Sequence, residues 1–521
     1  MGKNKRAKNS LLLMVATLIS RILGILRSRT IAVFFGATKV ADIINFSFNI
    51  PNNFRKLFAE GALSSAFIPV FVSEIEKDED NLAHSKALFY KMQTFQLIVC
   101  TLLIVITWFF KESIILSLSE FSQQKDIELA SNLLFYFVIF LCFISFASFY
   151  ASLLQSHNKF FVAALAPLFF SIAVIFSINY FEKQIGPYSM ALGVLIGGFG
   201  QFLINYFALR KIDYKFKFSL NLNDEAFKKV LKGWAPVTVT SVLAIVTQQV
   251  SFYFASTLSE GTITAFTNAI IVWQAPYGIF YSAIATVFFP ALAGAFLAPS
   301  KEEFIDLVSK GLLYIATFLF PIAILLVTLG NETTAVLLQS GKFGLSDTLV
   351  TGEILLYFAI GMPIVAWYGF LQRVHYSAKS FKTTLYGAIG ISVVDITLTY
   401  ILIKNAFGPK SLSLANTVSH TIGLLILLLL SSKEIKKLFI EKRFVKNLFK
   451  LAVANIPLIT LSLVYCHFNT GNWWHSGSNK ENALKLALLY FIALFVVTLS
   501  YLIAKVDFMT IFKRGQKRVK S

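Results

Sequence analysis

Three arginines, Arg21, Arg27 and Arg29, lie inside the apolar stretch "SLLLMVATLISRILGILRSRTIAVFFG" (residues 10–36). A second polar group follows: Asp42, then "PNNFRKLFAEG" (51–61), which places Arg55, Lys56 and Glu60 just behind Pro51. A guanidinium is planar and offers parallel N–H donors that match the oxygens of a phosphate. Several such cations in one place suit a dianionic phosphate group. At the centre of a bilayer each arginine costs about 2.5–3.5 kcal/mol on the mildest scale, so it must face water or an acid. Arg21 and Arg27 would point about 120° apart on a straight helix, and a bend at Gly24 would bring them toward one site. Arg29, nearer the end of the stretch, can snorkel to the interface. Pro51 frees backbone groups that lipid cannot satisfy. The two stretches therefore read as walls of a cationic cavity, with Asp42 and Glu60 partly neutralising its field when no ligand is bound. The competing reading is an ion-pair network that holds the first two segments together. An anion recognised at membrane depth would be carried on a lipid.

The elements that must position these residues are membrane spans. Of 521 residues, 56% are hydrophobic and 14% charged, and mean hydropathy is +0.69. Soluble domains average about 25% charged residues. Runs such as "LGVLIGGFGQFLINYFAL" (192–209) point to helical spans rather than the short alternating segments of a β-barrel. Fourteen segments are long enough to cross: 10–35, 38–73, 86–110, 127–154, 160–181, 187–209, 231–257, 264–297, 306–330, 348–371, 383–403, 411–431, 447–466 and 483–505. Pro51 and Pro276 are expected to interrupt and kink the second and eighth.

"LFAEGALSSAFIP" (57–69) resembles "IFYSAIATVFFP" (279–290), and "LLQSHNKF" (153–160) resembles "FLQRVHYSAKSF" (370–381). Such a repeat predicts an all-α polytopic membrane protein with two pseudo-symmetric six-helix lobes around a central cavity, plus two C-terminal helices. The expected divisions are an N-lobe (1–209), a basic linker (210–230), a C-lobe (231–432) and a C-terminal part (433–521).

Basic residues set the expected orientation. There are four in the first ten positions, seven between Arg210 and Lys232, seven between Lys433 and Lys450, and five in the tail. The opposite loops carry seven. Both termini are thus expected in the cytoplasm, and "HFNTGNWWHSGSNKEN" (467–482) outside. The start of the chain shows no small-residue cleavage pattern of a removable signal peptide. The basic runs read as topology signals and contacts to anionic membrane lipids, not as a nucleic-acid surface, because no aromatic-basic module accompanies them.

Cys100, Cys142 and Cys466 are scattered, and the six histidines form no metal spacing. No catalytic residue, metal or cofactor is expected, and no enzyme. Asp395, inside "ISVVDITLTYIL" (391–402), is a candidate ion or proton site, with Asn416 and His420 on the next span as partners.

The segments "SRILGILR" (20–27), "GATKVADIINFSFNIPNNFRKLFAEGALSSAFIPVF" (36–71), "LLQSHNKFFVAALAP" (153–167) and "LLQSGKFGLSD" (337–347) resemble the MurJ/MviN family. These are lipid II flippases of the multidrug/oligosaccharidyl-lipid/polysaccharide exporter superfamily. The resemblance implies fourteen helices in the bacterial cytoplasmic membrane. It also implies a C-terminal helix pair that accommodates a polyprenyl tail, and movement of undecaprenyl-pyrophosphate-linked disaccharide-pentapeptide to the outer leaflet. Family cavity residues carry over to Ser20, Arg21, Arg27, Asp42, Asn52, Arg55 and Glu60, with Lys56 beside them. The chain departs from the pattern at Ser28, where many members have an acid. Ile271 replaces a span-eight arginine, and Ser251 replaces a span-seven acid linked to sodium.

Without that arginine, Arg373 and Lys379 are the expected cations of the C-lobe side, catching the headgroup on entry. Trp273 and Gln274 would contact sugar or peptide. Lipid II is the expected partner of a monomeric chain. The competing readings are an exporter of another lipid-linked oligosaccharide, a drug exporter of the same superfamily, a polyprenyl-phosphate glycosyltransferase and a membrane scaffold. A cationic lobe repels cationic drugs, and no acidic metal motif or catalytic loop supports the transferase.

Overall fold

The computed structural model describes residues 3–58, 62–77, 82–157, 159–219, 221, 224–297, 301–469 and 472–506. The described chain is almost wholly helical: α1 (Lys3–Phe35), α2 (Lys39–Phe58), α3 (Ala62–Glu76), α4 (Ala83–Leu118), α5 (Gln124–Ser156), α6 (Phe160–Ile185), α7 (Tyr188–Arg210), α8 (Glu225–Ser256), α9 (Thr262–Leu297), α10 (Glu302–Leu338), α11 (Leu345–Ser377), α12 (Phe381–Lys404), α13 (Ser411–Leu430), a short α14 (Lys433–Leu438), α15 (Lys442–Phe468) and α16 (Lys480–Ile503). Twelve helices among the described residues, α4 to α13 with α15 and α16, are long and apolar enough to cross a membrane. The first two expected spans correspond to α1 and to the α2–α3 pair, which are not among these twelve.

The chain forms two compact units, Met1–Thr264 with Gly341–Phe343, and Ala265–Ser340 with 344–521. In the first unit α1 packs along α6, α6 on α7, and α5 on both α2 and α7. Its core is aromatic: Phe67, Phe71, Phe89, Phe149 and Tyr150 are buried together, and the Phe89 and Phe149 rings stack at 5.6 Å. Aromatic residues also coat the outside. On α4, Trp108, Phe109 and Phe110 are 59%, 73% and 57% exposed, as a lipid-facing helix requires. The loop after α7 folds back on α4 through Lys86–Asp213 and Lys91–Asp224 ion pairs, each at 2.6 Å. The Tyr214 hydroxyl meets His157 Nε2 at 3.1 Å and donates to Ser85 Oγ at 3.1 Å.

In the second unit α10 packs on α11, α11 and α12 on α13, and the α15–α16 pair on α10. Ala316, Leu451, Ala454, Leu458, Ala493, Val497 and Tyr501 form the seam of that pair. Small side chains there allow close helix approach where lipid offers no hydrophobic drive.

Neither Pro51 nor Pro276 interrupts its helix. Pro51 and Pro276 lie within continuous helices α2 and α9. Pro51 removes only the bond to the Ser47 carbonyl, and α2 runs on to Phe58. The described parts of the second segment are α2, to Phe58, and α3, from Ala62.

Candidate substrate-binding site

The cations of the first unit lie on α1 and α2. Arg21 and Arg27 are six residues apart, about 9 Å along the α1 axis, and Ser20, Arg21 and Arg27 are all half-buried. The Arg27 guanidinium carbon sits 5.0 Å from the centroid of the Phe170 ring on α6. Packing from behind fixes that ring. A Cβ on Gly197 of α7 would lie 2.8 Å from a Phe170 ring carbon and 2.9 Å from its Cα. Glycine at 197 therefore sets the distance between α6 and α7, and with it the platform on which Arg27 rests.

Arg55 approaches from α2. Its Nε donates to Asn52 Oδ1 at 3.0 Å, one turn earlier. That bond orients the fork. Arg27 and Arg55 lie close enough for their like charges to interact, so the structure brings together two cations that are 28 positions apart. Arg27 meets no acid among the described residues. Ser28, the position that departs from the family pattern, is buried and turns its hydroxyl onto the Gly24 carbonyl at 3.1 Å. Lys56 belongs to α2, but its side chain, like the whole of Glu60, lies outside the described residues.

Asp42 differs from the expectation. Its carboxylate accepts from the Gly261 N–H at 2.7 Å and from both the N–H and the hydroxyl of Thr264 at 2.8 Å. It thus caps the N-terminus of α9, where free N–H groups and the helix dipole favour an anion. Asn45, one turn on, donates to the Thr264 hydroxyl at 3.1 Å. Thirteen helical residues, about 20 Å, separate Asp42 from Arg55, so Asp42 is not placed to neutralise that arginine. Gly261 has φ +87°, and a Cβ there would meet the Ala37 carbonyl oxygen at 2.4 Å. The loop before α9 can reach Asp42 only with glycine at this position.

The second unit carries the remaining candidates. Trp273 is 8% exposed. It begins a stacked column along α9, with Tyr277 at 4.7 Å and Tyr281 a further 4.8 Å on. Arg373 of α11 closes the column, its guanidinium 5.5 Å from the Tyr281 centroid. The structure therefore separates side chains that the sequence reading grouped. Trp273 is packed inside the unit, whereas its neighbour Gln274 is exposed; Arg373 is half-buried against Tyr281, whereas Lys379 is exposed in the turn after α11. Ile271 is half-buried, and Ser251, on α8 of the first unit, is buried with its hydroxyl on the Thr247 carbonyl.

Asp395, Asn416 and His420 do come together. Asp395 is 2% exposed, and its two oxygens receive Thr399 Oγ1 and Asn416 Nδ2, both at 3.4 Å. His420 Nδ1 contacts the Asn416 carbonyl at 2.8 Å.

One polar cluster escaped the sequence reading. Glu332 of α10 is buried and accepts from Tyr465 Oη at 3.0 Å and Asn469 Nδ2 at 3.4 Å, which ties α10 to α15. The signal was present as an acid in "LGNETTAVLL" (329–338), but it falls just past the expected end of span nine and so looked like loop.

Comparison with known proteins agrees with this architecture. A family model described as "Lipid II flippase MurJ" matches residues 31–505. A protein named probable lipid II flippase MurJ from Borreliella burgdorferi is 31% identical over 500 residues, covering 96% of each chain. One of the same name from Buchnera aphidicola is 27% identical over 478 residues, 90% of this chain and 92% of its own. A solved lipid II flippase MurJ in an inward closed conformation superposes with TM-score 0.76 at 25% identity, covering 96% of this chain and 99% of that one. An inward-facing MATE family transporter of the MOP superfamily gives 0.66 at 13% identity over 82% of this chain and 99% of its own, a likeness of fold. The fold is thus that of the MOP class of polytopic membrane transporters. The chain belongs to the MurJ lipid II flippase family.

Proposed function

We propose that this chain is a flippase that moves lipid II, the undecaprenyl-pyrophosphate-linked peptidoglycan precursor, from the inner to the outer leaflet of the bacterial cytoplasmic membrane. The observation that carries this reading is the approach of Arg27 and Arg55 to one another, Arg27 without an acid partner among the described residues, in a member of the MurJ family. Two like charges held together in a poorly solvated place repel. A pyrophosphate relieves that repulsion and gains bidentate hydrogen bonds from both forks. Phe170 supports Arg27 from one face and Asn52 directs Arg55, so little side-chain entropy remains to be lost on binding. Arg21, one and a half turns before Arg27, extends the site toward the next phosphate.

Transport follows by alternating access, the site opening first to one face of the membrane and then to the other. Both termini lie in the cytoplasm, and the chain works as a monomer without a cofactor. The exposed Lys379 and Gln274 meet the arriving headgroup. The Asp395–Asn416–His420 cluster is the place where an ion or proton would couple to the cycle.

The test is replacement of the resident flippase in a bacterium depleted of its own. Expression of this chain should restore wall synthesis and growth, and an Arg27→Ala/Arg55→Ala double variant, inserted equally well, should not. Failure of the well-expressed wild-type chain would overturn the reading.

A further inference from the structure

A cavity of about 960 Å³ lies in the second unit, where the first turns of α10 and α15, the short α14 and the end of α16 converge. Its size is at the upper end of small-molecule sites, about 300–1,000 Å³. Six cations and four acids line it. One pair is internal, Lys310 with Asp306, and Glu434 lies within the fields of Lys301 and Lys437. Lys450 donates to the Lys505 carbonyl at 2.9 Å, which sets its ammonium on the wall. Arg443, at the start of α15, is exposed and has no ion pair among the described residues. The floor is apolar: Leu313, Tyr314, Phe444 and Leu451.

The rim has a second feature. Ile440, which lines the cavity, is 78% exposed, and Phe449, two turns into α15, is 69% exposed. Large apolar side chains beside a basic rim mark a surface that sits in the headgroup region of a bilayer. Basic pockets between transmembrane helices on the cytoplasmic side take anionic lipid headgroups.

We propose that this cavity is a binding site for a resident anionic phospholipid of the leaflet it faces. Lys437 and Arg443 hold the phosphate, Lys450 backs it two turns further along the same face of α15, and the apolar floor takes the first carbons of an acyl chain. The bound lipid joins α10 to the α15–α16 pair at this end, where their seam of Ala316, Leu451 and Ala454 begins. The site shares no residue with Arg27 or Arg55 and does not depend on what the flippase carries.

The test uses the purified full-length chain and native mass spectrometry with phosphatidylglycerol and phosphatidylethanolamine offered in equal amounts. The wild-type protein should retain phosphatidylglycerol at least fivefold over phosphatidylethanolamine, with less retention as salt rises. A Lys437→Gln/Arg443→Gln variant should lose that preference and keep its thermal midpoint, since both side chains are exposed. Lys450→Gln, a single change two turns along α15 from Arg443, should lower phosphatidylglycerol retention at least threefold. Equal retention of the two lipids by the wild type, or an unchanged preference in both variants, would overturn the proposal. Displacement by millimolar inorganic phosphate would make the ligand a free anion, and displacement by equimolar lipid II would make the cavity a substrate vestibule; either result would overturn the assignment to a resident phospholipid.

Discussion

Replacing Asp42 by Asn tests the reading of Asp42 as a cap supplied by α2 to α9. The carboxylate accepts three hydrogen bonds, from two N–H groups and one hydroxyl. Asparagine keeps one oxygen for Thr264 and turns an NH₂ toward the Gly261 N–H, so one buried donor is left without an acceptor. That orphan costs about 1–3 kcal/mol. Loss of negative charge at the N-terminus of α9 costs a further ~1–2 kcal/mol in a buried setting. The sum is roughly 2–5 kcal/mol. At about 2–4 °C per kcal/mol for a domain of some 150–250 residues, the apparent melting midpoint in detergent should fall by roughly 4–20 °C. Thr264→Val removes the hydroxyl that donates to Asp42 and accepts from Asn45, and should cost about 1–3 kcal/mol. The double variant should cost less than the two singles added, because the pair shares one interaction. A midpoint for Asp42→Asn within 1 °C of wild type, or strict additivity in the cycle, would refute the capping argument.

Arg27→Ala and Arg55→Ala should each reduce lipid II transport at least tenfold with normal membrane insertion, and Lys at either position should restore it only in part, because lysine keeps the charge and loses the fork; near-normal growth of both alanine variants as sole copies would refute the site. Gly197→Ala should weaken transport with both arginines intact, since the new methyl must push Phe170 from beneath Arg27; the check is lipid II affinity at unchanged expression. For orientation, cysteines placed at Ser476 and Ser521 should differ in labelling by an impermeant thiol reagent on spheroplasts, and equal labelling would refute the assigned topology. His157, in the turn after α5, has its pKa held below 6.5 by burial and then by Lys159. Its neutral form is the one the fold accepts, so its contribution to stability is complete above pH 6.5 and is lost as pH falls toward the folded-state pKa. His157→Gln should flatten the decline of the melting midpoint between pH 7.5 and 5, and an unchanged slope would remove this residue from the account.

The spans were legible because a bilayer leaves little choice. A run of some twenty apolar residues must be helical, and charges inside it must have a reason. Each expected segment therefore falls on helix among the described residues, though several helices run past the expected ends, and α2 and α9 continue through Pro51 and Pro276. Within a packed helix a proline deletes one hydrogen bond and the next turn continues. Glu332 was missed for the opposite reason: α10 runs on to Leu338, beyond the apolar window, so a buried acid looked like a loop residue.

Partners were harder to read than positions. Arg27 and Arg55 announce themselves as charges in hydrocarbon, but Phe170 is one of 54 phenylalanines, and nothing in its local sequence singles it out. Only the packing of Gly197 against it does. Asp42 shows the same limit. Its type and depth suggested a counter-ion for the nearest arginines in sequence, whereas its donors lie more than two hundred residues away, at Gly261 and Thr264. A carboxylate buried in a helical membrane protein has two cheap solutions, a cation or a helix N-terminus, and composition does not choose between them. The choice matters for function. With Asp42 spent on α9, the charge of Arg27 is left uncompensated by it. A site supported by a phenyl ring and an amide oxygen keeps its attraction for an anion and its repulsion of cations, which is the discrimination a carrier of a pyrophosphate-linked lipid needs.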